Sequence, residues 1–243
     1  MGRRRKGQKI DGWVNFYKPY DMTSTQAVGL VRRHFQAQKA GHAGTLDPLA
    51  TGILPIALGE ATKTVPYCQD RLKTYIFEVT WGEQRSTDDA EGDVIDTSDT
   101  LPAPEDIDAV LGGFMGNIEQ VPPAFSAIKI NGERAYDLAR AGENVEIKSR
   151  VVYVESLTKL SHDKTSARFS CLCGKGTYIR ALARDMALKL GTVGYMSALE
   201  RTSVGPFTTE NSISLEILED LAHSAALTDA LLSVETALDD IPA

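Results

Sequence analysis

The stretch Gly41-His42-Ala43-Gly44-Thr45-Leu46-Asp47-Pro48-Leu49-Ala50-Thr51-Gly52 places one carboxylate in a loop built from three glycines and a proline, with a histidine five residues before it. Glycine and proline adopt or impose backbone shapes that other residues resist, so such a loop has a specified conformation. A rigid loop presenting a single acid can hold a reactive group out to a substrate. Asp47 also reads as the N-cap of a short helix with Pro48 in its first position, although Gly52 and Pro55 leave that helix little room. Spacing alone leaves both readings open.

The segments around this loop alternate between strand and helix patterns. Upstream, Gly12 to Tyr17 reads as a short strand and Lys18-Pro19-Tyr20-Asp21 as a turn. Thr23 or Ser24 then caps a helix running to about Gln36, with Val28, Val31 and Phe35 along one face. Downstream, Ile53 to Leu58 resembles a buried strand interrupted by Pro55. Leu72 to Trp81 gives the clearest alternation, with Tyr75, Phe77, Val79 and Trp81 on one face. Residues 122–148 read as an insertion: a strand over Phe125–Ile130, an Asn131-Gly132 turn, and a helix from Glu133 to Arg140.

Two more strands, 150–160 and 165–173, flank a polar turn at residues 161–164. The loop Gly174-Lys175-Gly176-Thr177 can then cap a helix from Tyr178 to Leu190. Leu182, Met186 and Leu190 form its core stripe, and Arg180 and Arg184 share a different face. Strands and helices without regular βα alternation imply an α+β fold, with a mixed, mostly antiparallel central sheet flanked by helices and loops.

At 243 residues the chain can bury a sizeable core. It lacks the roughly 18-residue apolar run that crosses a bilayer, and its basic start has no apolar stretch of signal-peptide length. A cytoplasmic protein with no membrane partner is expected. Cys68, Cys171 and Cys173 suit a reducing compartment and read as core thiols. The four histidines are too scattered to suggest a metal site. Net charge is −7, but residues 83–108 hold ten acids against one base, and 211–243 hold seven acids with no Lys or Arg. The remainder carries 25 bases against 16 acids, so a basic face for nucleic acid is permitted despite the sum. The acidic run 83–108 reads as a long surface loop with a helix starting near Glu105.

Several of these segments together resemble the TruB family of tRNA pseudouridine synthases. Gly41 to Pro55 resembles the family's nucleophile motif, and Lys18-Pro19 with Thr23-Ser24 its N-terminal motif. Lys73-Thr-Tyr75-Ile-Phe-Glu78 is similar to its tyrosine strand. Gly174-Lys-Gly-Thr-Tyr-Ile-Arg180 is similar to the motif bearing its arginine, and Ala198-Leu199-Glu-Arg201 to a later motif with a pocket leucine. The matches keep family order from about residue 12 to 210. Asp21 stands where the family more usually has glycine. The family often continues into a small RNA-binding module of the PUA kind; here that module is expected to be absent or truncated. The expected organisation is a catalytic domain over 10–210, carrying the 122–148 insertion, followed by an acidic segment, 211–243.

The resemblance implies isomerisation of uridine to pseudouridine at position 55 in the T-loop of tRNA, on a flipped-out base. It implies no metal or organic cofactor, the tRNA T-arm as partner, and a monomer. Asp47 is implied as nucleophile or electrostatic partner, and it must be ionised for either role. Arg180, whose helical position would otherwise suit a surface arginine, is implied to keep it so. Tyr75, otherwise a core aromatic, is implied to stack on the base. A phenol with a free pKa of about 10 is a poor base at neutral pH. His42 is implied to fill the gap left by the flipped base, against the plainer reading of a loop histidine bonded to its own backbone. Tyr178 and Leu199 are implied to wall the pocket. Lys18 and Lys175 suit phosphate contacts or structural roles, and Lys129, Arg134, Arg140 and Lys148 suit a flap over RNA. One rival is a carboxylate-based hydrolase acting on nucleosides or glycosides, but such enzymes generally pair two acids and Asp47 has no obvious second acid in a comparable loop. Another is a non-catalytic RNA-binding or folding module, against which the intact Asp47, Tyr75 and Arg180 set speaks.

Overall fold

The computed structural model describes residues 7–125, 129–130, 133–134, 147–223 and 225–238. In chain order the elements are β1 (Gly12–Lys18), α1 (Ser24–His34), β2 (Ala40–His42), β3 (Thr51–Leu58), α2 (Val65–Asp70), β4 (Lys73–Trp81), β5 (Glu83–Arg85) and β6 (Val94–Thr97). Next come α3 (Pro104–Leu111), β7 (Gly116–Gln120), β8 (Lys129–Ile130), β9 (Glu133–Arg134), β10 (Arg150–His162) and β11 (Ser166–Cys173). The last are α4 (Ile179–Lys189), β12 (Gly194–Val204), β13 (Phe207–Thr208) and α5 (Leu215–Ala222). The fold is α+β with mixed, mostly antiparallel pairing. Among the described residues, no helix is long and apolar enough to cross a membrane.

The chain divides into two compact units, Met1–Tyr75 with Glu200–Ala243, and Ile76–Leu199. In the first, β1 and β3 pair antiparallel from Gly12↔Leu58 to Lys18↔Gly52, and β3 also pairs with Glu200 and Arg201 in parallel. Trp13, Ile53, Ala57, Cys68, Val204 and Phe207 close its core, with the Trp13 and Phe207 rings 5.4 Å apart. Burial pushes the Cys68 thiol up to about 11, so it stays protonated as a core group. Helix α1 begins at a capping box in which Thr23 and Gln26 satisfy each other's backbone amides. The other edge of β1 is taken by residues from the C-terminal segment. Trp13 and Leu232 exchange backbone bonds of 2.8 Å, and Tyr17 N–H donates to Ile213 at 2.8 Å.

In the second unit, β11 and β7 flank β10, both antiparallel to it. Phe77, Val79 and Trp81 of β4 are buried in alternation as expected, and Phe77 stacks on Phe169 at 5.3 Å. Cys171 and Cys173 lie buried on β11, and Leu182 and Met186 of α4 are fully buried.

Four expectations are corrected or extended. The acidic run 83–108 is not simply a surface loop: β5 and β6 form a hairpin, and Asp88 and Asp89 between them are buried, because arginines on α4 offset their charge. Helix α3 does start where expected. Residues 133–134 are a strand paired with 129–130, not the first turn of a helix, as a two-residue Asn-Gly connection favours a hairpin. The rest of that expected helix, Arg140 included, lies outside the described residues. Thr177 does not cap α4: its hydroxyl donates back to Gly174 O at 3.1 Å and Tyr178 takes the cap position. Finally, β12 had no reading in the sequence, since its mixed Tyr-Met-Ser-Ala-Leu-Glu-Arg-Thr run shows no clean alternation.

Gly52, at the end of the Asp47 loop, cannot be replaced without strain. Its φ is +106°, and a Cβ there would sit 2.2 Å from the Arg201 carbonyl oxygen. Gly52→Ala should therefore cost about 2–4 kcal/mol through combined backbone strain and overpacking. A chemical denaturation midpoint unchanged from the parent would refute the close approach.

Candidate active site

The Asp47 loop is held by side chains reaching it from three other segments. Ser24 Oγ, at the start of α1, both accepts from Leu46 N–H and donates to Leu46 O, each at 2.9 Å and both buried. Lys18 Nζ, fully buried at the end of β1, donates to Pro19 O at 2.9 Å and to Pro48 O at 3.2 Å. Arg201 Nη2 donates to Gly44 O at 3.0 Å and its Nε to Ile53 O at 2.8 Å. Within the loop, Ala50 N–H closes a turn on Asp47 O at 3.1 Å, and Ala43 N–H reaches Pro55 O at 3.0 Å. No helix follows Asp47, which removes the capping reading: the residues after it form a turn leading into β3. The half-buried Asp47 is thus presented by a backbone anchored at Gly44, Leu46, Pro48 and Ala50.

The N-terminal turn explains its own departure from the family pattern. Asp21 has a φ of +58°, the left-handed region that glycine enters freely and that Asp tolerates better than most residues. Its N–H donates to Pro48 O at 3.0 Å, beside Lys18. An aspartate can therefore make the same turn.

Charge is concentrated beneath the loop. Burial lowers the Lys18 amine to about 8; the field of Asp47 raises it, that of Arg201 lowers it further, and Asp21 raises it. Burial and then Arg201 also hold the His42 imidazole below its ordinary value, so it is neutral at pH 7. Lys18 thus feels both Asp47 and Arg201, and His42 feels Arg201. Because Lys18 loses its proton near pH 8 when folded but near 10.5 when unfolded, the unfolded chain binds more protons across that window. Folding stability should therefore gain from this group as pH rises from 8 to 10.5. Denaturation midpoints of the parent and Lys18→Met, compared at pH 7.5, 9 and 10.5, should diverge in favour of the parent at the alkaline end. Parallel curves would show that Lys18 titrates normally.

The second unit organises the arginine motif. Arg180, buried in the first turn of α4, lies 3.3 Å from the Asp89 carboxylate. It also donates to Thr87 O and to Phe125 O, each at 3.1 Å. One turn on, Arg184 Nη1 pairs with Asp88 at 2.7 Å and Nη2 donates to Val121 O at 2.8 Å. Each arginine so links the buried acidic turn to the root of the 122–148 insertion. Desolvation raises the Asp88 carboxyl, opposed by Arg184. Tyr178 has its backbone bonded both ways to the Gln120 side chain, at 2.8 and 3.1 Å, and Arg150 lies over its ring at 4.9 Å.

Of the residues singled out from the sequence, Asp47, His42, Lys18 and Tyr75 belong to the first unit. The structure brings Asp47 and Lys18 together there, and Tyr75 is half-buried on β4. Arg180, Tyr178, Lys175 and Leu199 belong to the second unit. Lys175 is exposed in the loop before α4, whereas Leu199 is half-buried on β12. Lys148 is exposed; the side chains of Lys129, Arg134 and Arg140 lie outside the described residues. Sequence reasoning missed Ser24 as a loop anchor, Asp88 and Asp89 as arginine partners, and the whole role of Arg201. The only advance signal was the four-residue spacing of Arg180 and Arg184, which put them on one helix face.

Comparison with known proteins matches most of the chain to two family models. Residues 32–179 match the model of the TruB family pseudouridylate synthase N-terminal domain, and residues 180–239 the tRNA pseudouridylate synthase B C-terminal domain. The chain is 56% identical to the tRNA pseudouridine synthase B of Caulobacter sp. (strain K31), over 100% of this chain and 79% of that protein. It is 58% identical to that of Bradyrhizobium diazoefficiens, over 99% and 71%. Among solved structures it is similar to a Cbf5-Nop10-Gar1 complex, with a TM-score of 0.71 at 29% identity, covering 93% of this chain. It is also similar to the archaeal box H/ACA Nop10-Cbf5 complex, with a TM-score of 0.72 at 26% identity. The chain spans about three fifths of the matched chains in those two structures.

Proposed function

The chain belongs to the TruB family of pseudouridylate synthases, and on that premise we propose that it converts uridine to pseudouridine at position 55 in the T-loop of tRNA, with Asp47 as its reactive acid. Uridine isomerisation in tRNA is the activity its relatives are named for, at more than half identity over the whole chain. The reading of the site rests on one observation. The only acid in the Gly44–Gly52 loop is carried on a backbone pinned from α1, β1 and β12.

The chemistry balances without a co-reactant. The bond from uracil N1 to C1′ breaks, the base turns, C5 bonds to C1′, and the proton lost from C5 is matched by one gained at N1. An ionised carboxylate can serve by attacking or by stabilising the cationic character that develops at the sugar. Neither C1′ nor C5 is reachable while the base is stacked, so the nucleotide is flipped out, at a few kcal/mol of unstacking. Tyr75 then stacks on the extruded base, and His42, neutral at pH 7, fills the space left in the RNA. Arg180 supplies the guanidinium of the reaction, Tyr178 and Leu199 exclude water, and Lys18 serves the loop rather than a phosphate, since its amine is fully buried. Lys175, exposed in the loop before α4, contacts the RNA backbone.

We assign the catalytic machinery to 10–210, with 122–148 as its RNA-binding insertion, and the protein to the cytoplasm as a monomer. The test is incubation with unmodified tRNA and with a T-stem-loop hairpin, followed by mapping of pseudouridine. Conversion of the T-loop uridine alone supports the reading. Release of free uracil would instead mark a hydrolase.

A further inference from the structure

The mechanism leaves the buried Arg201 cation unused. Arg201 is 1% exposed, and among the described residues its hydrogen bonds go to backbone carbonyls rather than to a carboxylate. A buried guanidinium met only by peptide dipoles is costly to keep, which singles this position out. Its bonds fall at informative places. Nη2 holds the carbonyl of Gly44, where the loop begins, and Nε holds that of Ile53, just after it ends. Its own backbone pairs beside Gly52, so closely that a Cβ there would lie 2.2 Å from the Arg201 oxygen. A single residue thus clasps both ends of the loop that carries Asp47, while Lys18 braces the middle at Pro48. The fork of a guanidinium can serve two carbonyls at fixed spacing, whereas a lysine ammonium lacks that planar reach.

We propose that Arg201 is a positioning residue for the isomerisation: it closes the Gly44–Gly52 loop from below and so fixes where the Asp47 carboxylate stands relative to the uridine. The inference rests on Asp47 being the reactive acid. Misplacing a reactive group by about 1 Å can cost on the order of 100-fold in rate, and the loss appears in the chemical step rather than in RNA capture.

The experiment compares the parent with Arg201→Lys, Arg201→Gly and Asp47→Asn. Single-turnover conversion of a T-stem-loop RNA is measured at saturating enzyme, with RNA affinity and thermal midpoint measured separately. Arg201→Lys should convert about 30-fold more slowly or worse, with affinity within about threefold of the parent. Low millimolar guanidinium should restore about tenfold or more to Arg201→Gly and nothing to Asp47→Asn. Should the lysine variant not fold, recovery of rate by guanidinium in the glycine variant decides the matter. The proposal is overturned if Arg201→Lys reacts within twofold of the parent, if its loss matches its unfolded fraction or weakened RNA binding, or if guanidinium restores nothing. Inactive Asp47→Asn beside a fully active Arg201→Lys would remove only this inference. An active Asp47→Asn would remove the underlying reading of the loop.

Discussion

Asp47→Asn should abolish pseudouridine formation, lowering the single-turnover rate by on the order of 10⁴-fold or more. The amide is isosteric with the carboxylate but can neither attack nor carry the negative charge the reaction needs. The loop itself should survive, because its anchors are backbone atoms: Leu46 on Ser24, Gly44 on Arg201, Pro48 on Lys18. The variant should bind T-arm RNA within about tenfold of the parent and melt within a few degrees of it. One secondary effect is built in. The field of Asp47 raises the Lys18 amine against the burial that lowers it, so the variant's lysine should titrate below 8. Conversion by Asp47→Asn at a rate near the parent's would end the assignment.

Arg180→Met should remove turnover as well, but its interpretation requires a second substitution. Arg180 faces Asp89 at 3.3 Å, and both side chains are more than nine-tenths buried. Truncating one partner strands the other charge, a loss of about 3–5 kcal/mol. An inactive single variant could therefore be merely unstable. Arg180→Met with Asp89→Asn relieves the stranded carboxylate and should recover most of that stability, as read from denaturation midpoints. If Arg180 acts in the reaction, the double variant stays inactive, with single-turnover conversion reduced at least about 1,000-fold. If its role is only to neutralise Asp89, the double variant regains activity along with stability. The two outcomes separate catalysis from folding at a residue that must do both.

What could be read in advance was local. A cap at Thr23 or Ser24 was legible at the start of α1, and Phe77, Val79 and Trp81 announce their strand by alternation alone. The Asp47 loop was legible because glycine and proline punctuate it. The four-residue step from Arg180 to Arg184 correctly put them on one face. The residues that remained hidden act across long stretches of chain. Arg180 bonds Thr87 from 93 positions away, and Arg201 reaches Gly44 across 157. Asp88 and Asp89 were submerged in a run of acids whose natural reading is a solvated surface, since only the fold brings arginines to bury them. β12 escaped because one stretch holds the buried Met196 and Arg201 together with exposed and half-buried neighbours such as Ala198 and Leu199. Helix propensity after Asn131-Gly132 misled at Glu133 and Arg134, where a paired strand overrides local preference.

The backbone bonds that Ile213 and Leu232 make to β1 carry a practical consequence for anyone shortening this protein. Cut the chain before Ile213 and the amides and carbonyls of Asn15, Trp13 and Tyr17 lose their covering. A bare row of that kind is a template on which a second molecule can lay down its own strand. Shortened versions should thus be watched for self-association even where every group near Asp47 is untouched.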